Sequence, residues 1–156
     1  VPVQSEAGVG SLVAAVEAGR GPGVCAGTVT TVERVRQAAG AGAPFAVAPG
    51  LDPDIAAAAL EAGMPYLPGV ATASGIQTAG RLGLRWLKVF PASALGAGWI
   101  KRMHGPFPRV RFAATGGVDA ANARQFPDAG ARVVGVGSAL EDPLQLDEPA
   151  ALLPGL

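Results

Sequence analysis

The sequence predicts a parallel α/β protein built from repeated βα units, and three observations carry that prediction. Short apolar runs rich in strand-favouring residues start near 24, 45, 66, 86, 110 and 132, recurring at about 20 to 25 residues, and helical patterning follows them. The run Leu84 to Ala92 has Leu87 and Val89 on the face opposite Lys88, so that face needs the helical cover a parallel sheet supplies. Glycines gather at the ends of the late strands, in Thr115-Gly116-Gly117 and Gly135-Val136-Gly137-Ser138.

Each element follows from local chemistry. Val1-Pro2-Val3 is a strand fragment, and residues 7–18 carry Val9, Leu12, Val13 and Val16 at helical spacing before Gly19 and Gly21-Pro22. A strand over 24–28 leads to a helix capped by Thr31 and closed near Gly40; a strand over 45–48 leads to the Pro49-Gly50 turn. Asp52 caps the next helix, with Pro53 at its first position and Gly63 at its end. Residues 66–70 form a strand, 73–82 a helix weakened by Gly75 and Gly80, and the Lys88 strand follows. A helix over 98–103, a strand over 109–115, a helix capped by Asp119 and running through Phe126, and a strand over 132–137 complete the pattern. The tail holds the hint of a helix near Ala150.

Counting bears on the architecture. A barrel of eight βα units needs about 200 residues or more, so 156 residues with six strands and a fragment fall one or two units short at the N-terminus. The expectation is one domain, 1–156, with the TIM (β/α)8 barrel fold, lacking the first βα unit and part of the second strand. An open doubly wound sheet would fit the length, but no Gly-x-Gly-x-x-Gly follows a first strand.

Composition narrows the chemistry. Formal charge is zero and the arginines are scattered, which points away from nucleic acid and membrane partners and toward a small metabolite. One cysteine, Cys25, and one histidine, His104, cannot assemble a zinc set or an internal disulfide, so chemistry without metal or cofactor is expected. No apolar run reaches the roughly 18 residues of a membrane helix, nor does a signal-peptide pattern occur; the expected location is the cytoplasm. His104 reads as a helix-end residue, Cys25 as core, Asp52 and Asp119 as caps, and Trp86 and Trp99 as packing.

The chain has two lysines, Lys88 and Lys101, against ten arginines. A lysine inside a core strand can do what arginine cannot: lose a proton and attack a carbonyl, which desolvation favours. The plain alternative is a strand-end lysine snorkelling to water. In a barrel the active site lies at the carboxyl ends of the strands. Those ends hold Thr28, Pro49-Gly50, Thr72, Lys88 with Phe90, Thr115-Gly116-Gly117 and Gly137-Ser138. If the Lys88 strand is the sixth, the last two groups fall where barrels bind phosphate through backbone N–H groups.

The segments Ala26-Gly27-Thr28-Val29, Pro49-Gly50-Leu51, Pro65 to Thr72, Leu87-Lys88-Val89-Phe90-Pro91-Ala92, Gly105 to Phe112 and Thr115-Gly116-Gly117-Val118 resemble, in order and spacing, the 2-keto-3-deoxy-6-phosphogluconate aldolase family, which also includes 4-hydroxy-2-oxoglutarate and phosphogalactonate aldolases. The resemblance covers nearly the whole chain. It implies a metal-free, homotrimeric class I aldolase that cleaves a phosphorylated keto acid to pyruvate and glyceraldehyde 3-phosphate. It makes Lys88 the Schiff-base lysine and places Phe90 beside the imine. Thr28, Pro49 and Thr72 would line the pyruvyl pocket, and Thr115 would lie near the substrate hydroxyls. Gly116, Gly117, Gly137 and Ser138 would hold the phosphate.

Two departures from the family pattern bear on activity. The family's base, a glutamate on the second strand, aligns one residue before Val1, so the first βα unit, and with it a final helix, is expected to be missing. General acid–base help is commonly worth about 10²–10⁴-fold, and the 156 residues alone are expected to fall short by that factor. The family's carboxylate-binding arginine is Gln4 here, as in the phosphogalactonate branch, whereas Gly105 to Phe112 looks like the phosphogluconate branch. A non-catalytic phosphate-binding barrel remnant is a second reading. An epimerase or isomerase is a third, although these strand ends lack its paired acids or metal.

Overall fold

Capping chemistry sets where the helices begin. Thr31 accepts a hydrogen bond from the Arg34 amide at 3.3 Å and opens α1 (Val32–Gly40). Asp52 accepts from the Asp54 and Ile55 amides at 2.8 and 3.2 Å and, with Pro53 in the first turn, opens α2 (Pro53–Glu61). Thr72 accepts from the Gly75 amide at 3.1 Å and opens α3 (Ala73–Arg81). The Thr31 and Asp52 caps sit where the sequence puts them, because each needs only a short oxygen-bearing side chain in an extended residue; the Thr72 cap is one the sequence reading did not name.

The computed structural model describes residues 3–5, 10–11, 14 and 24–137. It divides into two compact units, Val1–Gly69 and Val70–Leu156. The helix expected over 7–18 lies outside the described residues except for Gly10, Ser11 and Ala14, which are helical. The expected tail helix near Ala150, Val1-Pro2 and Ser138 lie outside them entirely.

In the first unit, β1 (Ala46–Val47) pairs in parallel with β2 (Tyr66–Leu67), Ala46 opposite Tyr66 and Val47 opposite Leu67. The strand expected over 24–28 reduces to a single parallel bridge between Ala26 and Ala46. The Val3 amide donates to the Gly27 carbonyl at 2.9 Å, so the fragment at the N-terminus extends the same pairing. Val3, Ala26, Val29, Val35, Ala46 and Ala59 are fully buried and form this unit's core.

The strand expected over 66–70 divides at Pro68, into β2 and β3 (Gly69–Val70). Proline has no N–H to give the ladder, so pairing cannot run through it. β3 heads a four-stranded sheet, in the order β3, β4 (Trp86–Val89), β5 (Arg111–Thr115), β6 (Val133–Gly135). β4 and β5 run parallel with Lys88 opposite Ala113, and β5 and β6 with Thr115 opposite Gly135. The described strands thus form parallel sheets of two and four strands, with no closed barrel among the described residues.

The second unit's core comes from alternation along β4 and β5. Leu87, Val89, Phe112 and Ala114 are fully buried, together with Ile100 from α5 (Ala97–Met103) and Phe126 from α6 (Gln125–Asp128). Trp99 and His104 meet the Phe112 ring edge-on, at centroid distances of 5.8 and 5.2 Å. A four-residue helix, α4 (Ala92–Leu95), precedes α5 and has no counterpart in the sequence reading. The helix expected from Asp119 starts only at Gln125, because Asp119 and Asn122 bond each other's amides and hold residues 119–124 in turns. Trp86 is not packing material: it is 39% exposed, with the Arg111 guanidinium 5.5 Å from its ring centroid.

Candidate active site

Strand alternation puts Lys88 on a half-buried face between the fully buried Leu87 and Val89. Its Nζ lies 4.3 Å from the centroid of the Phe90 ring, a cation–π distance. Phe90 continues the ladder beyond β4, its amide donating to the Val70 carbonyl at 3.3 Å. Thr115 ends the neighbouring strand, and its Oγ1 is buried without a hydrogen-bond partner among the described residues. A buried hydroxyl of this kind costs about 1–3 kcal/mol unless something bonds it. Gly135 opposite has no room for a side chain, since a Cβ there would come 2.9 Å from Thr115 Cγ2.

After Thr115 the chain takes two successive left-handed residues, Gly116 at φ 92° and Gly117 at φ 68°. Shape as well as backbone demands glycine at both. A Cβ on Gly116 would stand 2.8 Å from the Phe90 ring, and one on Gly117 would overlap Ser93 Oγ. The Gly116 carbonyl accepts from the Ser93 amide at 3.1 Å and the Gly117 carbonyl from Asn122 Nδ2 at 2.9 Å. Among the described residues neither glycine's amide donates to a protein acceptor. Carbonyls tied back and amides left over make the kind of backbone concavity that takes an anion.

The sequence reading missed Ser93 and Asn122, the residues that fix this loop. For Asn122 a signal existed: Asp119-x-x-Asn122 is the spacing of a reciprocal side-chain box. Gly137 is described and exposed, with open space where a Cβ would go. Thr72 lies near Val70 at the start of α3, exposed, its oxygen already accepting from Gly75. The second unit therefore joins Lys88, Phe90, Gly116 and Gly117 into one contact chain, with Thr115 between them in sequence and ladder.

The remaining candidates belong to the first unit. Thr28 has φ 58°, the left-handed region that a β-branched residue seldom enters. Parallel bonds flank it, Val47 N–H to Ala26 at 2.8 Å and Val29 N–H to Val47 at 3.0 Å. The Pro49 carbonyl lies so close to Gly69 that a Cβ there would overlap it, and the Gly69 amide donates to Gly50 at 3.2 Å. Gln4 is exposed, and its backbone carbonyl accepts from Arg34 Nη2 at 2.5 Å. His104 caps α5 and its Nε2 is 3.2 Å from the Gly130 carbonyl, a structural tie between two turns. Among the described residues no group of three or more His, Cys, Asp or Glu is placed to hold a metal ion, and no helix is long and apolar enough to cross a membrane.

The parallel strands and the helices that follow them define the class: a parallel α/β protein with the TIM-barrel type of fold, as in the solved aldolases it is similar to. The chain belongs to the KDPG and KHG aldolase family, whose model matches residues 1–150. The 2-dehydro-3-deoxy-phosphogluconate aldolase of Treponema pallidum is 41% identical over 102 residues, 65% of this chain and 49% of its own. The chain thus spans about half the length of the curated relatives it matches. A solved structure described as native KDPGal is similar at TM-score 0.84 and 32% identity, over 97% of this chain and 77% of that one. The KDPG aldolase of Legionella pneumophila, solved with pyruvate captured as a covalent carbinolamine, is similar at TM-score 0.82 and 26% identity, over 97% of this chain and 74% of that one.

Proposed function

We propose that the protein to which this chain belongs is a class I aldolase that cleaves 2-keto-3-deoxy-6-phosphogluconate, or 4-hydroxy-2-oxoglutarate, through an imine on Lys88. The observation that carries the reading is the Lys88 amine held over Phe90 at a strand's carboxyl end, beside the Gly116-Gly117 concavity. The Lys88 amine adds to the C2 ketone, and loss of water gives the iminium. The C3–C4 bonding pair then flows into the iminium, the C4 hydroxyl gives up its proton, and an aldehyde leaves. For the phosphorylated substrate that aldehyde is glyceraldehyde 3-phosphate. The enamine left on Lys88 takes a proton at C3, and water releases pyruvate and the free amine.

Phe90 supports the amine and excludes water from one side of the imine. Thr28, Thr72 and Pro49 line the pyruvyl pocket; Thr72 contributes its hydroxyl hydrogen, since its oxygen already serves Gly75. Thr115 Oγ1 bonds a substrate hydroxyl, which satisfies an atom without a partner among the described residues. Gly116 and Gly117, with Gly137 and Ser138, hold the phosphate, and Gln4 faces the substrate carboxylate. The working form is a cytoplasmic homotrimer. Gln4, and the likeness to a KDPGal structure, favour a second reading in which the substrate is the phosphogalactonate epimer.

Borohydride added with pyruvate tests the imine. The expected result is one pyruvyl mass increment mapped to Lys88 and none on Lys101, and its loss in Lys88→Arg. A chain that gains no mass, or gains it equally on both lysines, would reduce the protein to a phosphate binder. Cleavage of the two epimers by the full-length protein then decides between gluconate and galactonate substrates.

A further inference from the structure

The amino ends of the same strands carry a second concentration of charge. Arg85 immediately precedes β4, Arg111 is the first residue of β5 and Arg132 immediately precedes β6, so three adjacent parallel strands each begin at an arginine. These three, with Arg109 and His104, line a cavity of about 600 Å³ that no acidic residue borders among the described residues. Four of the chain's ten arginines thus meet in one wall of a molecule whose formal charge is zero. Among the described residues none of the four is in an ion pair. A neighbouring cavity of about 410 Å³ shares Arg85 and Arg109 and, among the described residues, also has no acid in its lining.

Like charges brought together without counterions repel one another, and a bound anion relieves that repulsion. The cavity's volume is in the range of about 300–1,000 Å³ that small-molecule sites occupy. Guanidinium groups present planar forks that fit phosphate and carboxylate oxygens two at a time. Two of the lining groups are held in place: Arg111 lies over the Trp86 ring, and the His104 ring is fixed at Gly130. At about 3.3 Å per residue, Arg85 is about 10 Å along the strand from Lys88, and Arg111 about 13 Å from Thr115. This is a different place from the glycine concavity.

We propose that this cavity is a second anion site, which takes a small molecule bearing at least two phosphate or carboxylate groups. Inorganic pyrophosphate is the probe. Titrated calorimetrically into the 156-residue chain at low salt, it is expected to bind saturably and to weaken as salt is raised. Arg111→Gln with Arg132→Gln should lower that affinity tenfold or more, whereas Arg36→Gln, at an exposed arginine outside the cavity, should leave it unchanged. Arg→Lys at the same two positions should restore part of the loss. Circular dichroism checks that the variants fold, which the exposure of all four arginines favours. Binding that is non-saturable, or that survives the double Arg→Gln change, would overturn the proposal.

Discussion

The Lys88 ammonium nitrogen rests 4.3 Å from the centre of the Phe90 ring, two residues along the same strand face. An aromatic face in this position orients the amine and shields one side of it from water. Phe90→Leu keeps apolar bulk and removes the π-face. The expected result is pyruvate trapping at Lys88 slowed by about tenfold, since the amine loses its fixed direction, with little change in the unfolding midpoint because Phe90 is only half-buried. Quenched borohydride trapping followed by intact-mass measurement reads the rate; trapping as fast as in the native chain would mean the ring does not position the amine.

Glycines in this chain are of two physical kinds, and one pair of substitutions separates them. Gly116 has φ 92° and the Phe90 ring 2.8 Å from where a Cβ would go. Gly116→Ala should destabilise by at least the roughly 1–2 kcal/mol that left-handed backbone costs an L-residue, and should weaken binding of phosphate esters. Gly80 lies in α3 with nothing within 4 Å of its missing Cβ. Gly80→Ala should therefore stabilise, by about 0.5–1 kcal/mol. Urea unfolding of the two variants beside the native chain gives both signs in one experiment.

Much of this arrangement was legible in residue order, and what escaped has a physical reason. Thr31 and Asp52 cap helices as read, because a cap is a local matter between one side chain and an amide three residues on; Thr72, read only as a pocket hydroxyl, proves to cap a helix as well. Lys88 stands on its own face of β4 because alternation is a property of any strand. Strand extent was less legible. Ala26 makes only a bridge and Pro68 splits one run in two, since ladders depend on which neighbour supplies the next donor. Ser93 and Asn122 escaped because their partners, the Gly116 and Gly117 carbonyls, come within reach only when the loop has folded. The arginine cavity was read as scattered charge, because 85, 109, 111 and 132 converge only through strand register.

Tyr66 is the chain's one tyrosine, so its phenol can be titrated alone by absorbance near 295 nm. It is 9% exposed, and its hydroxyl donates to the Gly50 carbonyl at 3.5 Å. Burial, and then the nearby Asp52 carboxylate, push its pKa up from 10.0 to about 12. The fold favours the neutral phenol, so this contribution to stability is complete below the unfolded value near 10 and is lost as pH rises through about 12. Tyrosinate should appear about two units later in the folded chain than in urea. Tyr66→Phe should flatten the decline in stability between pH 10 and 12, and an ordinary titration midpoint in the native state would show that the phenol reaches water.

Thr28 tests whether backbone strain serves the site. A β-branched residue at φ 58° sacrifices about 1–2 kcal/mol that glycine would not, while glycine costs about 0.5–1 kcal/mol through the freedom it gains unfolded. Thr28→Gly should then stabilise by a few tenths to about 1 kcal/mol. If the hydroxyl lines the pyruvyl pocket as proposed, the same change should slow pyruvate trapping at Lys88 by about tenfold or more, whereas Thr28→Ser should keep most of the rate. Strain retained at a residue that also bears a needed hydroxyl is the pattern expected of a functional position. A glycine variant that is both more stable and equally fast in trapping would leave the left-handed threonine without a role in catalysis.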